Sequence, residues 1–439
     1  MTFRRDCGRL LLAVSLALAS AMATPLLAQE LVAAPAAQGL AAPAAQGLAA
    51  PAAQGLAAPA AQGLAAPVAQ GLMVEKRVFE TTDYRTRGGA AIPNIRIGYQ
   101  TAGELNAAGD NAVLVTHFFS GNSHAFGRYM ADGPAGYWDS IIGPGKPIDT
   151  NRYFVVSSDT LVNLNVRDGR TVTTGPASLN PDTGRPYGME FPVVSIRDFV
   201  EVQKRLLDRL GVRRLQLVAG ASMGAMQAIE WAAAYPEMIE RVMPVIGTGE
   251  FDAWLIGWLD LWEAPIRLDP NWRNGDYYGA GREPPNRGLA EALRIVTLHA
   301  QDRGAVARFG RRMAEGQDPS KRIGDRFAVE AFLDEAAAAR ARTSDANSFL
   351  YLTRANQLFL QDYEGGAEAA LAQSRARWLL VPSGTDRVFM PDYARELAAV
   401  LRRLGRPVET AEIGGPLGHL EGVAGIAKAA DRIRAFLAQ

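Results

Sequence analysis

The sequence predicts an α/β fold built on a mostly parallel, doubly wound sheet, and three observations carry that prediction. Short apolar runs end repeatedly at small or polar residues and alternate with stretches of helical period. One serine stands between two glycines where such a run meets such a stretch. The alternation then stops between "VMPVIGT" and "ARWLLVPSG", where the chain turns helical.

The N-terminal residues come first. Arg4, Arg5 and Arg9 precede the apolar run Leu10 to Ala19, and small residues follow, so residues 1–28 read as an export signal cleaved after Ala23 or Ala28. A periplasmic or secreted protein is expected, with no membrane span after signal removal, because the run is too short for a permanent anchor. The single cysteine, Cys7, lies inside the signal. Disulfides, thiol catalysis and cysteine-ligated metals are therefore excluded from the mature chain. Lys+Arg and Asp+Glu both number 46, so no net field draws the protein to nucleic acid.

Residues 29–72 carry an eight-residue repeat, LVAAPAAQ followed by GLAAPAAQ units and GLAAPVAQ. Proline and glycine in the units break helices, and alanine buries too little surface for a core, so this segment reads as a disordered spacer.

The globular domain is expected over residues 73–439. Its strands are "NAVLVTHF", "RYFVVSSDT", "RLQLVAG", "RVMPVIGT", "ARWLLVPSG" and "VETAEIGG". Continuous apolar runs of this length suit parallel strands covered by helices on both faces. A helix opens at Ser195 with Asp198 three residues on, a capping box, and stops at Gly211. The helical interval, at about residues 250–372, is read as a lid inserted into the domain.

Within "LQLVAGASMGAMQAIEWAAAYPE", Ser222 lies between Gly220 and Gly224. A serine on a sharp strand-to-helix turn projects its oxygen above the sheet, and side chains at the flanking positions would collide with neighbouring backbone. The next helix points its N-terminus at that oxygen, where negative charge is stabilised. A hydroxyl needs a base oriented by a third group. Among the four histidines, His117, His124, His299 and His419, only His419 follows the last core strand; Asp386 follows the strand before it. The order Ser, Asp, His is the one this turn requires. The N–H groups of Phe119 and Met223 are the expected oxyanion donors, with His117 bracing the first of these loops.

Taken in order, "NAVLVTHFFSGNSHAFG", "GYWDSIIGPGKPIDTNRYFVVSSD", "TGPASLNPDTGRPYGMEFPVVSIRDFVEVQKRLLDRLGV", "GASMGAMQAIEWAAAYPE", "RFGRR" and "GTDRVF" resemble the homoserine O-acetyltransferase family of α/β-hydrolase-fold enzymes. The resemblance implies a serine that takes an acetyl group from acetyl-CoA and passes it to a hydroxyl. It implies Ser222, Asp386 and His419 as the catalytic set, with Phe119 and Met223 as oxyanion donors.

Two departures argue against homoserine. Where the family grips the amino-acid carboxylate with arginine, "DLWEAPIRLDP" has Glu263, and where the family has Asp after the catalytic histidine, this chain has Leu420. Export would also separate the enzyme from CoA. The expectation is an ester hydrolase acting on a small-molecule ester with an apolar part, with the O-acetyltransferase as the alternative and with no cofactor or metal required. Trp254, Trp258 and Trp262, four residues apart, form one helix stripe that packs in the core or a homodimer, or lines an acyl pocket. Phe118, Trp254, Trp258, Glu263 and Leu420 are the pocket candidates.

Overall fold

A computed structural model describes residues 71–439; the expected export signal and the repeat up to Gln70 lie outside the described residues. The main sheet has eight strands: β1 (Arg77–Arg85), β2 (Ala91–Ala102), β3 (Ala112–Thr116), β4 (Phe154–Ser158), β5 (Leu215–Ala221), β6 (Arg241–Val245), β7 (Arg377–Leu380) and β8 (Val408–Thr410). Their spatial order is β1-β2-β4-β3-β5-β6-β7-β8. The pairs β1–β2 and β2–β4 are antiparallel, and every other neighbouring pair is parallel.

Every residue of β3 and of β6 is buried, because helices cover both sheet faces. Successive side chains divide between two cores. Ala112, Leu114, Leu215 and Val218 enter one, while Val113, Val115, Leu217 and Ala219 enter the other. The hairpin β1–β2 has no counterpart in the expected strands. Most of β1 is exposed, so its sequence never forms a continuous apolar run.

Helix α1 (Ile196–Leu210) starts where Ser195 donates to Asp198 through its N–H (2.7 Å) and its hydroxyl (3.0 Å), and stops at Gly211 with φ of +82°. Helix α2 (Met223–Ala234) lies between the sheet and α1 and is buried over most of its length. A polar link to α1 is satisfied in series: Trp231 Nε1 donates to Gln203, and Gln203 Nε2 donates to Gln227, both at 2.7 Å. Between β6 and β7 come α3 (Ala253–Leu268), α4 (Asn286–His299), α5 (Ala328–Ala341) and α6 (Ala346–Gln357). Helices α7 (Pro391–Arg403) and α8 (Ala430–Ala438) follow β7 and β8. Among the described residues no helix is long and apolar enough to cross a membrane.

Candidate active site

The end of β5 sets the geometry. Ser222 has φ 57° and ψ −120°, a backbone conformation that a residue with a side chain rarely adopts. Space forces it. A Cβ on Gly220 would overlap the Thr116 hydroxyl and the Gly224 backbone, and one on Gly224 would overlap the Thr116 carbonyl. The Thr116 hydroxyl lies 2.8 Å from the Gly224 carbonyl, which ties the end of β3 to the turn.

His419 Nε2 is 2.8 Å from Ser222 Oγ, and His419 Nδ1 is 2.7 Å from Asp386 Oδ2. The other carboxylate oxygen, Oδ1, accepts from the N–H groups of Val388 (2.8 Å) and Phe389 (3.1 Å). Asp386 is thus buried with both oxygens bonded, which fixes its plane and lets it hold a charge away from water. The loops bearing Asp386 and His419 are latched together: Ser383 Oγ donates to the Gly418 carbonyl at 2.8 Å, and Thr385 Oγ1 donates to the Gly415 carbonyl at 2.7 Å.

Neither the N–H of Phe119 nor that of Met223 has an acceptor among the described residues. His117 is buried beneath the first of these loops. Its Nδ1 is 2.8 Å from the Phe118 carbonyl and its Nε2 is 3.1 Å from Asn163 Nδ2. Burial pushes its pKa down, so the ring is neutral and serves as a brace.

Above Ser222 the insertion closes a cavity of about 30 Å³. Phe119, Leu255, Trp258, Leu259, Trp262 and Phe389 form most of its apolar wall, with His299 and Asn356 as polar members. His299 stacks on Trp258 at 4.0 Å between ring centroids, and Phe389 lies edge-on to His419. Among the described residues no group of three or more His, Cys, Asp or Glu stands together as metal ligands.

A strained serine in line with an imidazole and a buried carboxylate is built for covalent acyl chemistry. Residues 147–419 match the alpha/beta hydrolase fold family. The homoserine O-acetyltransferase of Symbiobacterium thermophilum is 41% identical over 335 residues, covering 75% of this chain and 85% of that protein. That of Methanococcoides burtonii is 38% identical over 339 residues, covering 77% and 68%. The chain belongs to the homoserine O-acetyltransferase-like family of the α/β-hydrolase fold.

Two solved structures superpose well on this chain. The homoserine O-acetyltransferase from Bacillus anthracis has a TM-score of 0.80 at 34% identity, covering 84% of this chain and 98% of that one. Esterase E22 has a TM-score of 0.79 at 46% identity, covering 83% and 100%. The chain is an enzyme of the alpha/beta hydrolase superfamily, of the acyltransferase and esterase type.

Four expected pocket residues of this homoserine O-acetyltransferase-like chain lie elsewhere. Trp254 is 56% exposed, because a four-residue step overshoots a full turn by roughly 40° and the stripe drifts off the cavity. Trp258 lines the cavity and Trp262, buried, lines it too. The Phe118 ring packs edge-on against Tyr137 at 5.2 Å, while its neighbour Phe119 meets Trp262 and Phe349. Glu263 is buried but outside the cavity wall. Its carboxylate is held by Arg267 Nε at 3.0 Å and by the Thr353 hydroxyl, so it does not face a substrate carboxylate. Leu420, 39% exposed, is also outside the wall. The sequence reading missed Phe251, His299, Asn356, Val388 and Phe389. Val388 and Phe389 sit in "GTDRVF", immediately after the expected acid, and that adjacency was a usable signal. No local pattern marks Phe251 or Asn356.

Proposed function

We propose that Ser222 is the nucleophile of a two-step acyl transfer, with His419 as general base and Asp386 orienting the imidazole. The observation that carries this reading is the unbroken line from Asp386 through His419 to Ser222, with bonds of 2.7 and 2.8 Å. His419 Nε2 takes the Ser222 proton as Oγ attacks the acyl carbonyl. The N–H groups of Phe119 and Met223 receive the oxyanion, and His419 returns the proton to the leaving group. In the second half the acceptor O–H gives its proton to His419, attacks the acyl-serine, and Ser222 is released.

The apolar wall beside Ser222 suits an uncharged acyl group. The acceptor we favour is a hydroxyl compound, as the homoserine O-acetyltransferase relatives suggest, and this displaces water as the first expectation. Homoserine itself fits poorly. No cationic side chain lines the cavity, and the nearby Arg267 is engaged by Glu263. An uncharged alcohol suits an apolar wall better. Ester hydrolysis is the second reading, favoured by the 46% identity to esterase E22. Export through residues 1–28 is part of the proposal and would place the enzyme in the periplasm or outside the cell, away from acetyl-CoA.

The test is a burst experiment with an aryl acetate, followed by competition between water and a panel of alcohols. Wild type should release one equivalent of phenol rapidly and Ser222→Ala none; equal rates would end the proposal. Preference for one alcohol over water supports transfer, and exclusive hydrolysis supports the second reading.

A further inference from the structure

Val162 has φ of +51°, a left-handed backbone that a β-branched residue almost never adopts. It is fully buried, and its neighbours hold it there. The Val162 N–H donates to the Thr174 carbonyl at 3.0 Å, and the Asn163 N–H donates to the Thr173 hydroxyl at 3.1 Å. Strain of this kind persists where the surroundings enforce it, and it collects at functional sites. The next residue, Asn163, is also fully buried, and its side chain reaches the loop that follows β3.

Asn163 Nδ2 lies 3.2 Å from the Gly121 carbonyl and 3.1 Å from His117 Nε2. A carbonyl only accepts, so the amide nitrogen faces it, and the second amide hydrogen goes to His117 Nε2. Nε2 then carries a lone pair and Nδ1 the hydrogen. The other side of the ring agrees, since Nδ1 is 2.8 Å from the Phe118 carbonyl, again an acceptor only. The two carbonyls thus fix one tautomer and one orientation of a buried imidazole. The Phe118 carbonyl also accepts from the Gly121 N–H at 2.8 Å. In a trans peptide the carbonyl and the following N–H point opposite ways in one plane, and the described residues contain no cis bond. Donors gathered on the Phe118 oxygen therefore aim the Phe119 N–H away from them. That N–H has no acceptor among the described residues, and Phe119 lines the cavity with Ser222. The loop also sits against the turn at Ser222: Gln227 Nε2 donates to the His117 carbonyl at 3.1 Å, and a Cβ on Gly224 would meet that oxygen at 3.1 Å.

We propose that Asn163 is a positioning residue for the oxyanion hole: by pinning His117 Nε2 and the Gly121 carbonyl, it keeps the peptide between Phe118 and Phe119 turned so that the Phe119 N–H faces the reacting carbonyl. The inference rests on the acyl-Ser222 reading above and names what orients one of its two oxyanion donors. Negative charge on that oxygen develops only as Ser222 attacks, so a misturned peptide costs the transition state and leaves ester binding alone. Without Asn163 nothing pins Nε2, and the ring no longer holds the Phe118 oxygen in one place.

Burst kinetics on an aryl acetate give the acylation rate and, from its dependence on ester concentration, the ester affinity. Asn163→Leu and His117→Leu should each slow acylation by about ten- to a hundredfold, with ester affinity kept within about twofold. His117→Asn, whose amide nitrogen stands where Nδ1 does, should recover about tenfold of the loss in His117→Leu. A trifluoromethyl ketone, which adds to Ser222 as a tetrahedral oxyanion, should lose affinity for the leucine variants by the same factor as acylation; a merely structural role would not move the two together. Unchanged acylation in both leucine variants overturns the proposal, and so does slowed acylation with ketone affinity intact. Nitrogen NMR of isotopically labelled histidine in the wild type, with His117 assigned by its absence in His117→Asn, reads the tautomer directly and does not depend on a leucine variant folding. The Nδ1–H form is expected, and the Nε2–H form overturns the proposal. Absence of a burst in the wild type removes the acyl-Ser222 reading and this proposal with it, whereas the other adverse results leave that reading standing.

Discussion

The backbone N–H of His419 donates to the carbonyl of Ala300, 3.0 Å away. The turn that closes α4 therefore holds the backbone of His419, whose imidazole reaches Ser222. The same turn also contacts the loop bearing Asp386: His299 reaches the Arg387 carbonyl and Asp302 pairs with Arg387 at 3.2 Å. The insertion forms the cavity roof and also fixes where the imidazole stands.

Gly418 tests that coupling. It has φ of +67°, and a Cβ there would meet the Asp302 nitrogen at 2.6 Å and the Gln301 carbonyl carbon at 2.9 Å. Gly418→Ala should push His419 out of line and lower the acylation rate by roughly a hundredfold, the usual result of a misplacement near 1 Å. Burst kinetics on an aryl acetate measure it, and an unchanged rate would show that the turn does not position the base.

Asp386→Asn preserves shape but offers His419 Nδ1 an amide that can hold the wrong tautomer. The turnover number should fall roughly ten-thousandfold, with little change in thermal stability, as for other triads whose acid becomes its amide. A loss under about tenfold would make Asp386 a structural residue only.

Glu263 and Arg267 predict a stability effect without a catalytic one. Arg267→Met leaves a carboxylate that is 3% exposed with only Thr353 as a side-chain partner. Because Arg267 is itself 41% exposed, the cost should be about 1–3 kcal/mol, below that of a fully buried pair. Urea unfolding gives the cost, and the KM for an aryl acetate should stay at the wild-type value.

Glu230, on the helix that follows Ser222, makes stability depend on pH. Burial pushes its pKa up to about 7, only partly offset by Arg197, whose guanidinium is 3.6 Å away. The unfolded chain loses this proton near the ordinary pKa of 4.5, whereas the folded chain keeps it until about 7. Stability from this group is therefore greatest below 4.5 and falls as pH rises through 7. Glu230→Gln should gain about 3 kcal/mol relative to wild type between pH 4 and pH 8. Parallel urea titrations at the two pH values check this, and an equal difference at both would refute it.

Strands β3 to β7 were legible because buried parallel strands write themselves as apolar runs. Ser222, Asp386 and His419 could be named because each ends or follows such a run. The cavity was far less legible. Its wall draws on segments as distant as Phe119, Phe251, Asn356 and Phe389, and which of two adjacent phenylalanines faces inward depends on tertiary packing. Glu263 lies outside that wall: Arg267, one turn on along the same helix, matches its charge, and Thr353, on a different helix, holds it from across the packing.

The crowding at Gly220 and Gly224 bears on anyone who would retune this catalyst. Random libraries spread over the whole gene would waste clones at those two places, since every replacement adds an atom where none fits. Leu255, Leu259 and Val388 line the cavity beside Ser222 instead, and a library restricted to them should yield variants that accept bulkier acyl donors while the elbow stays intact.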